Sequence, residues 1–412
     1  MSTSLSDYRA ALTTPGAGGP VLASLLGRLP IAMLGLSLLL YVQSETGTFA
    51  AAGMVSAGEL TGVAVGSVVQ GRVMDRIGPS RPLIVMSGVL VVLLTAEIAA
   101  IEAHAPTAVL VLLAVLVGAG QPTVPPASRA LWTELLPRGK VRDAAFSYEA
   151  ISMEVFFVLG PGLAGLLMVL PWPGTGLVVG SACMITGALG LAGTSAARGQ
   201  RPSGEDHPAG SMLGALASPG MRTVALAALG FGMVVGFLEV GLPAAADRAG
   251  HPMAGGLLLS VLSVSSVIVG VLYGVRPWPR AMHLRLPALL LCFAVLISLL
   301  ALPSELWSLC LLVLLAGSAI TPQSAAHSVA LDMAAPAGTA TEAFAWVVTS
   351  VTLGSAIGQS MSGQLVELAA GPPLAFAVAS AIGGVFAVCL WLRRGTLAPE
   401  SADSPRLSPT AG

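Results

Sequence analysis

Carboxylates and one guanidinium embedded in long apolar runs are the residues of this chain best placed to do chemistry. Glu59, Glu97, Glu149, Glu154, Glu239 and Arg28 each stand among apolar neighbours. An ionised group in such surroundings needs a partner, and a carboxyl that lacks one favours its neutral form. Two kinds of chemistry follow: ion pairing that locks elements together, and the binding and release of protons. A second constellation is Gly71-Arg72-Val73-Met74-Asp75-Arg76-Ile77-Gly78-Pro79-Ser80-Arg81. Here an acid sits among arginines beside a turn that Gly78-Pro79-Ser80 supplies. A plain basic loop would account for the arginines. It would not account for the acid, or for glycines at this spacing.

Other chemistries find little support. Cys183, Cys292, Cys310 and Cys389 lie in apolar stretches without CxxC spacing and read as packing residues. The histidines His104, His207, His251, His283 and His327 lack metal-ligand spacing, and only His327 falls inside an apolar run. No metal or cofactor is therefore expected. No nucleophile–base pair or Walker loop stands out, which argues against an enzyme and against ATP-driven pumping.

The elements that must position these groups follow from composition. Of 412 residues, 55% are apolar and only 9% charged, against about 25% charged in a soluble domain. A helix needs about 20 apolar residues to cross the hydrocarbon layer. Twelve such runs can be marked: 21–43, 49–70, 82–101, 106–131, 144–170, 175–196, 222–246, 254–274, 285–302, 305–329, 340–366 and 373–392. They are numbered helix 1 to helix 12 in that order. The longest polar interior stretch, 198–218, reads as a linker between six-helix bundles at 21–197 and 219–394, flanked by tails at 1–20 and 395–412. The first twenty residues lack the short apolar core of a signal peptide, so none is expected.

Orientation follows from the basic residues. With an even number of spans, Arg72, Arg76, Arg81, Lys140, Arg142, Arg198, Arg393 and Arg394 all fall on the side of the two termini. Only Arg248, of 19 basic residues, lies in a loop of the opposite side. Cytoplasmic loops hold the excess of Lys and Arg, so both termini are expected in the cytoplasm. One lysine against eighteen arginines suggests a GC-rich bacterial genome, hence a bacterial plasma membrane.

The halves echo each other. Ala145-Phe146-Ser147-Tyr148 matches Ala343-Phe344-Ala345-Trp346 at an offset of 198, which also maps Gly160 to Gly358 and Gly165 to Gly363. Gly120 and Pro125 map to Gly317 and Pro322 at an offset of 197. Parallel repeats of this kind occur in alternating-access transporters.

With the spans placed, depth can be assigned. At 1.5 Å per residue, Glu59 lies about 15 Å into helix 2, and Glu154 about 16 Å into helix 5, both near the midplane. Asp143 is a suitable N-cap for helix 5, which puts Glu149 about 9 Å deep, level with Arg28 at about 10 Å. Arg28 and Glu149 are candidates for a buried ion pair, and Glu59 and Glu154 for proton coupling. Glu97 and Glu239 lie nearer the opposite surface, where water is expected to reach them. Gln121, with Pro122, Pro125 and Pro126, either opens backbone carbonyls toward a substrate cavity or, the favoured reading, belongs to kinked packing, and the same two readings hold for Gln323 in helix 10.

The eleven-residue turn between helices 2 and 3 resembles the signature of the major facilitator superfamily. Gly71, Asp75, Arg76 and Gly78 match it. Pro79-Ser80 departs from the usual basic residues, with Arg81 one position late. The resemblance implies twelve transmembrane helices in two pseudo-symmetric six-helix bundles, an all-α membrane fold. It also implies that Asp75 biases the conformational equilibrium by meeting an arginine near the inner end of helix 4, here Arg129, and the start of helix 11. Thr339 and Glu342 have capping-box spacing there. Gly160-Pro161-Gly162, with Gly165, looks like the segment of the superfamily's antiporter branch. Pro161 is expected to kink helix 5 and the glycines to permit close packing. The chain therefore reads as a proton-coupled exporter of a small organic molecule, acting as a monomer, with substrate, protons and lipid as its only expected partners and no nucleic acid. Uptake of a sugar or metabolite is the alternative within the class. A non-transporting membrane sensor or membrane-embedded enzyme is the alternative outside it.

Overall fold

A computed structural model describes residues 4–137, 139–199, 214–275, 281–303, 305–336 and 339–397. Most of the expected linker and the tail beyond 397 lie outside the described residues. Among the described residues every regular element is helical. Eleven helices among the described residues are long and apolar enough to cross a membrane. Helix 11 (Ala340–Val366, 27 residues) matches them in length but carries more Ser, Thr and Gln.

The chain breaks its helices where sequence chemistry demands it. Helix 1 (Gly18–Thr46) passes through a tight 3₁₀ turn, Leu29–Ala32, at Pro30. Gly47, at φ +72°, then ends it and Thr48 caps helix 2 (Phe49–Ile77) by accepting from the Ala51 N–H. Only glycine takes that left-handed conformation at no steric cost, so the two helices turn back on each other within two residues. Helix 4 is split into Thr107–Gly120 and Val124–Leu135, and helix 10 into Leu306–Gly317 and Ile320–Ala334. Helix 5 starts at Lys140, a turn earlier than expected, so Asp143 sits in the first turn and is not the cap. Helix 5 stays helical through Pro161 to Leu167.

Helix 3 (Ser80–Glu102) shows how the bundle interior is built. Leu83, Ser87, Leu90, Leu94, Glu97 and Ile101 recur at alternating spacings of four and three and are all buried. Such a stripe occupies one helical face. It points inward, and Glu97 is part of it.

The repeat is visible in three dimensions. Gly160 of helix 5 packs on Ala32 of helix 1, and its counterpart Gly358 packs on Met233 of helix 7 (Pro219–Arg248). Gly165 meets Met253 and Gly256 at the start of helix 8 (Ala254–Val275), while its counterpart Gly363 meets Phe49 and Gly53 of helix 2. The carbonyl of Pro161 lies against Gly256, as that of the equivalent Gln359 lies against Gly53. Each bundle thus uses one glycine to hold its own first helix and the next to touch its neighbour. Small residues allow the backbone approach on which helix association in lipid depends. All four inter-bundle approaches fall in one half of the molecule. That half borders the far face, opposite the near face where helix 1 begins and helix 12 (Pro372–Leu392) ends.

Candidate functional site

Two polar assemblies stand inside this apolar frame. In the first, Arg28 is 1% exposed and its Nη2 lies 2.5 Å from Glu149 Oε1, an ion pair not aligned as a hydrogen bond. Arg28 Nη1 donates to Ser152 Oγ at 3.1 Å. Glu149 Oε1 also accepts from Ser128 Oγ at 2.6 Å and from Trp132 Nε1 at 2.9 Å. Ser128 and Trp132 are one turn apart on helix 4, Glu149 and Ser152 one turn apart on helix 5, so each pair shares a face. Helices 1, 4 and 5 are thereby tied at one point. Trp132 is also packed in a small cluster with Ala11, Ala17 and Leu136, beside the short N-terminal helix Leu5–Leu12.

The second assembly is a row of carboxyls. Glu59, 4% exposed, accepts from Gln121 Nε2 at 2.6 Å through Oε1. Its Oε2 faces Gly35 of helix 1 and has no hydrogen-bond partner. Across the seam, Glu239 of helix 7 accepts from Gln359 Nε2 at 2.7 Å. Glu59 lies within electrostatic reach of Glu239, and Glu97 within reach of Glu59. Glu97 is fully buried, and neither of its oxygens has a hydrogen-bond partner. The expectation that water reaches Glu97 from the surface is therefore corrected, whereas Glu239 is half-buried. The inward stripe of helix 3 encloses Glu97, and Gln359 covers Glu239.

The break in helix 4 serves packing and not a cavity. Gln70 Nε2 donates to the carbonyls of Ala119 and Gln121 at 3.0 and 2.8 Å, and Gln70 Oε1 accepts from the Thr123 N–H at 3.2 Å. The carbonyls freed near Pro122 are consumed by helix 2 and do not open toward a cavity. Gln121 keeps a polar role, as the donor to Glu59. Gln323 is fully buried and paired with His327, Nε2 to Nε2 at 3.3 Å, with the His327 ring against Phe231. It packs the second bundle and does not line the cleft, because the break in helix 10 turns it inward.

A sequence model of the Major Facilitator Superfamily matches residues 21–343. The chain belongs to this superfamily. Solved structures agree in fold at low identity. The nucleoside transporter NupG, crystallised as a point mutant, is 13% identical, with a TM-score of 0.72 over 92% of this chain and 100% of its own. A mutant of the peptide transporter POT bound to alafosfalin is 14% identical, with a TM-score of 0.72 over 96% of this chain and 99% of its own. A bacterial homolog of the human lysosomal transporter Spinster, inward-facing and unoccupied, is 15% identical, with a TM-score of 0.66 over 96% and 97%. No curated protein sequence matches the chain.

In this superfamily member, Gly78 ends helix 2 at φ +79°, and Gly71, Arg72, Arg76 and Arg81 line the near face. Asp75 belongs to helix 2, but its side chain lies outside the described part. Arg129 is exposed, with its guanidinium 4.9 Å from the centre of the Phe146 ring. The capping box expected at helix 11 does not form. Thr339 has φ −111° and ψ 14°, not the extended cap conformation. Its hydroxyl donates to the Pro336 carbonyl, and Glu342 accepts from the Ala215 N–H at 3.0 Å. Glu154 is exposed on the stripe of helix 5 that, seven and eleven residues on, carries Pro161 and Gly165 to helix 8. That stripe is the wall facing the opposite bundle. Gly162 packs on Ser260 of helix 8.

Sequence reasoning missed Gln70, Ser128, Trp132, Ser152 and Gln359 as partners. A signal existed for some. Gln70 follows Glu59 by eleven residues, three turns along one helical face, and Ser128 and Trp132 have same-face spacing. Gln359 carries no such spacing signal.

Proposed function

We propose that this chain exports a small organic molecule across a bacterial plasma membrane in exchange for protons, by rocking its two bundles about the central cleft. The observation that carries this reading is the row Glu97, Glu59, Glu239, two buried carboxyls of one bundle facing a half-buried one of the other. Ionisable groups at membrane depth mark ion pathways by default. Glu59 suits proton exchange because one oxygen is held by Gln121 while the other has no donor. Glu154, exposed on the wall facing the opposite bundle, is the carboxylate best placed to meet substrate or cleft water. The near face is taken as cytoplasmic because it gathers the arginines, and both termini lie there. Export is favoured over uptake by the helix 5 segment Gly160-Pro161-Gly162-Gly165 and by the mostly apolar cavity that the composition leads one to expect. Asp75, Arg76 and Arg129 are assigned to gating on the near face.

The test is transport by the purified chain in proteoliposomes with an imposed pH gradient, screened against a panel of organic compounds. Movement of a compound against the proton gradient is expected, with Glu59→Gln abolishing the pH-driven component while leaving facilitated exchange. Full proton-driven transport by Glu59→Gln, Glu97→Gln and Glu239→Gln alike would remove the carboxyl row from the mechanism.

A further inference from the structure

The far face is closed along two seams, helix 2 against helix 11 and helix 5 against helix 8, and the two are not fastened in the same way. Glu367 follows helix 11 as its C-cap residue, one turn beyond Gly363. Its Oε1 accepts the backbone N–H of Phe49, 2.5 Å away and 318 residues distant in the chain. Phe49 opens helix 2, where the first N–H groups have no partner within the helix. Thr48 satisfies the N–H of Ala51. The N–H of Phe49 is satisfied by a carboxylate from the other bundle, at the end of helix 2 whose dipole favours negative charge.

The repeat shows that this contact is particular to one seam. Gln359 and Gly363 correspond to Pro161 and Gly165, so Glu367 corresponds to Val169. Gly53 and Gly256 receive the equivalent carbonyls, so Phe49, four residues before Gly53, corresponds to Pro252, four before Gly256. Valine offers no acceptor and proline has no N–H to donate. The second seam lacks both halves of the bond and rests on packing between glycines.

We propose that Glu367 is a latch: it positions helix 2 against helix 11 and sets how much of the population is closed on the far face. The proposal rests on the alternating-access reading above. Glu367 is exposed, so when the seam parts, water can replace each partner and the latch reopens without trapping a buried charge. Opening to the far side must break this bond, whereas opening to the near side leaves it intact.

Spin labels at Ser44→Cys and Leu368→Cys, on opposite sides of the latched seam at the far face, would report its width in the full chain without substrate. Glu367→Ala is expected to raise the ratio of open to closed populations about five-fold. Glu367→Gln keeps an acceptor and loses the charge, so it should fall between. Raising salt should widen the distribution in the parent, where an exposed charge is screened, and leave the Gln variant unmoved. Val169→Ala, on the other seam, should change nothing. An unchanged distance distribution in a folded Glu367→Ala protein overturns the latch. Since the distances need neither substrate nor gradient, a chain that transports nothing yet opens on Glu367→Ala would sink the proposed function and keep the latch.

Discussion

Removing a single guanidinium is expected to be costly here, because three groups converge on the Glu149 carboxylate. Arg28→Ala leaves that carboxylate buried beside one hydroxyl and an indole, without its cation. Breaking one side of a buried pair costs about 3–5 kcal/mol. Thermal unfolding in detergent should show a large fall for Arg28→Ala, substantially recovered by adding Glu149→Gln. A single variant as stable as the parent would mean the pair is dispensable. Depth counting placed Arg28 and Glu149 at one level, since rise per residue is fixed by helix geometry. It did not find Ser128, Trp132 or Ser152, because hydroxyls and indoles are common at such positions and become partners only when the face they occupy is known. The same blindness to facing left the cleft open as a reading for Gln323, although helix 10 turns it into the bundle.

Between elements, the decisive features are glycines that carry no Cβ where a carbonyl of the other bundle arrives. A Cβ on Gly53 would stand 2.6 Å from the Gln359 carbonyl oxygen, too close for the backbones to remain. Gly53→Val is therefore expected to wedge the seam between helices 2 and 11 and favour the state open on the far face. Labelling of a cysteine placed at Ala356 by a membrane-impermeant thiol reagent should then accelerate several-fold relative to the parent. Ala356, 6% exposed, lies one turn inward of the contact. Equal labelling would show that the seam absorbs the extra methyls. The offset of 198 made the glycine pairs of helices 5 and 11 legible in sequence. Their partners were not, because Gly53 and Gly256 belong to helices whose repeat is too diverged to align by eye.

At the scale of the whole molecule, twelve spans and two bundles were legible because lipid allows few alternatives: apolar length fixes the spans and arginine the loops. The breaks within helices 1, 4 and 10 were signalled by proline, but what fills a broken helix cannot be read from proline alone. In helix 4 the filler is Gln70, reaching across from helix 2 to take two orphaned carbonyls and one orphaned N–H. Helix 4 owes part of its own backbone satisfaction to its neighbour, so the two helices cannot slide past each other without stranding those groups in a water-poor interior. Gln70 thus holds them to move as one stiff lever.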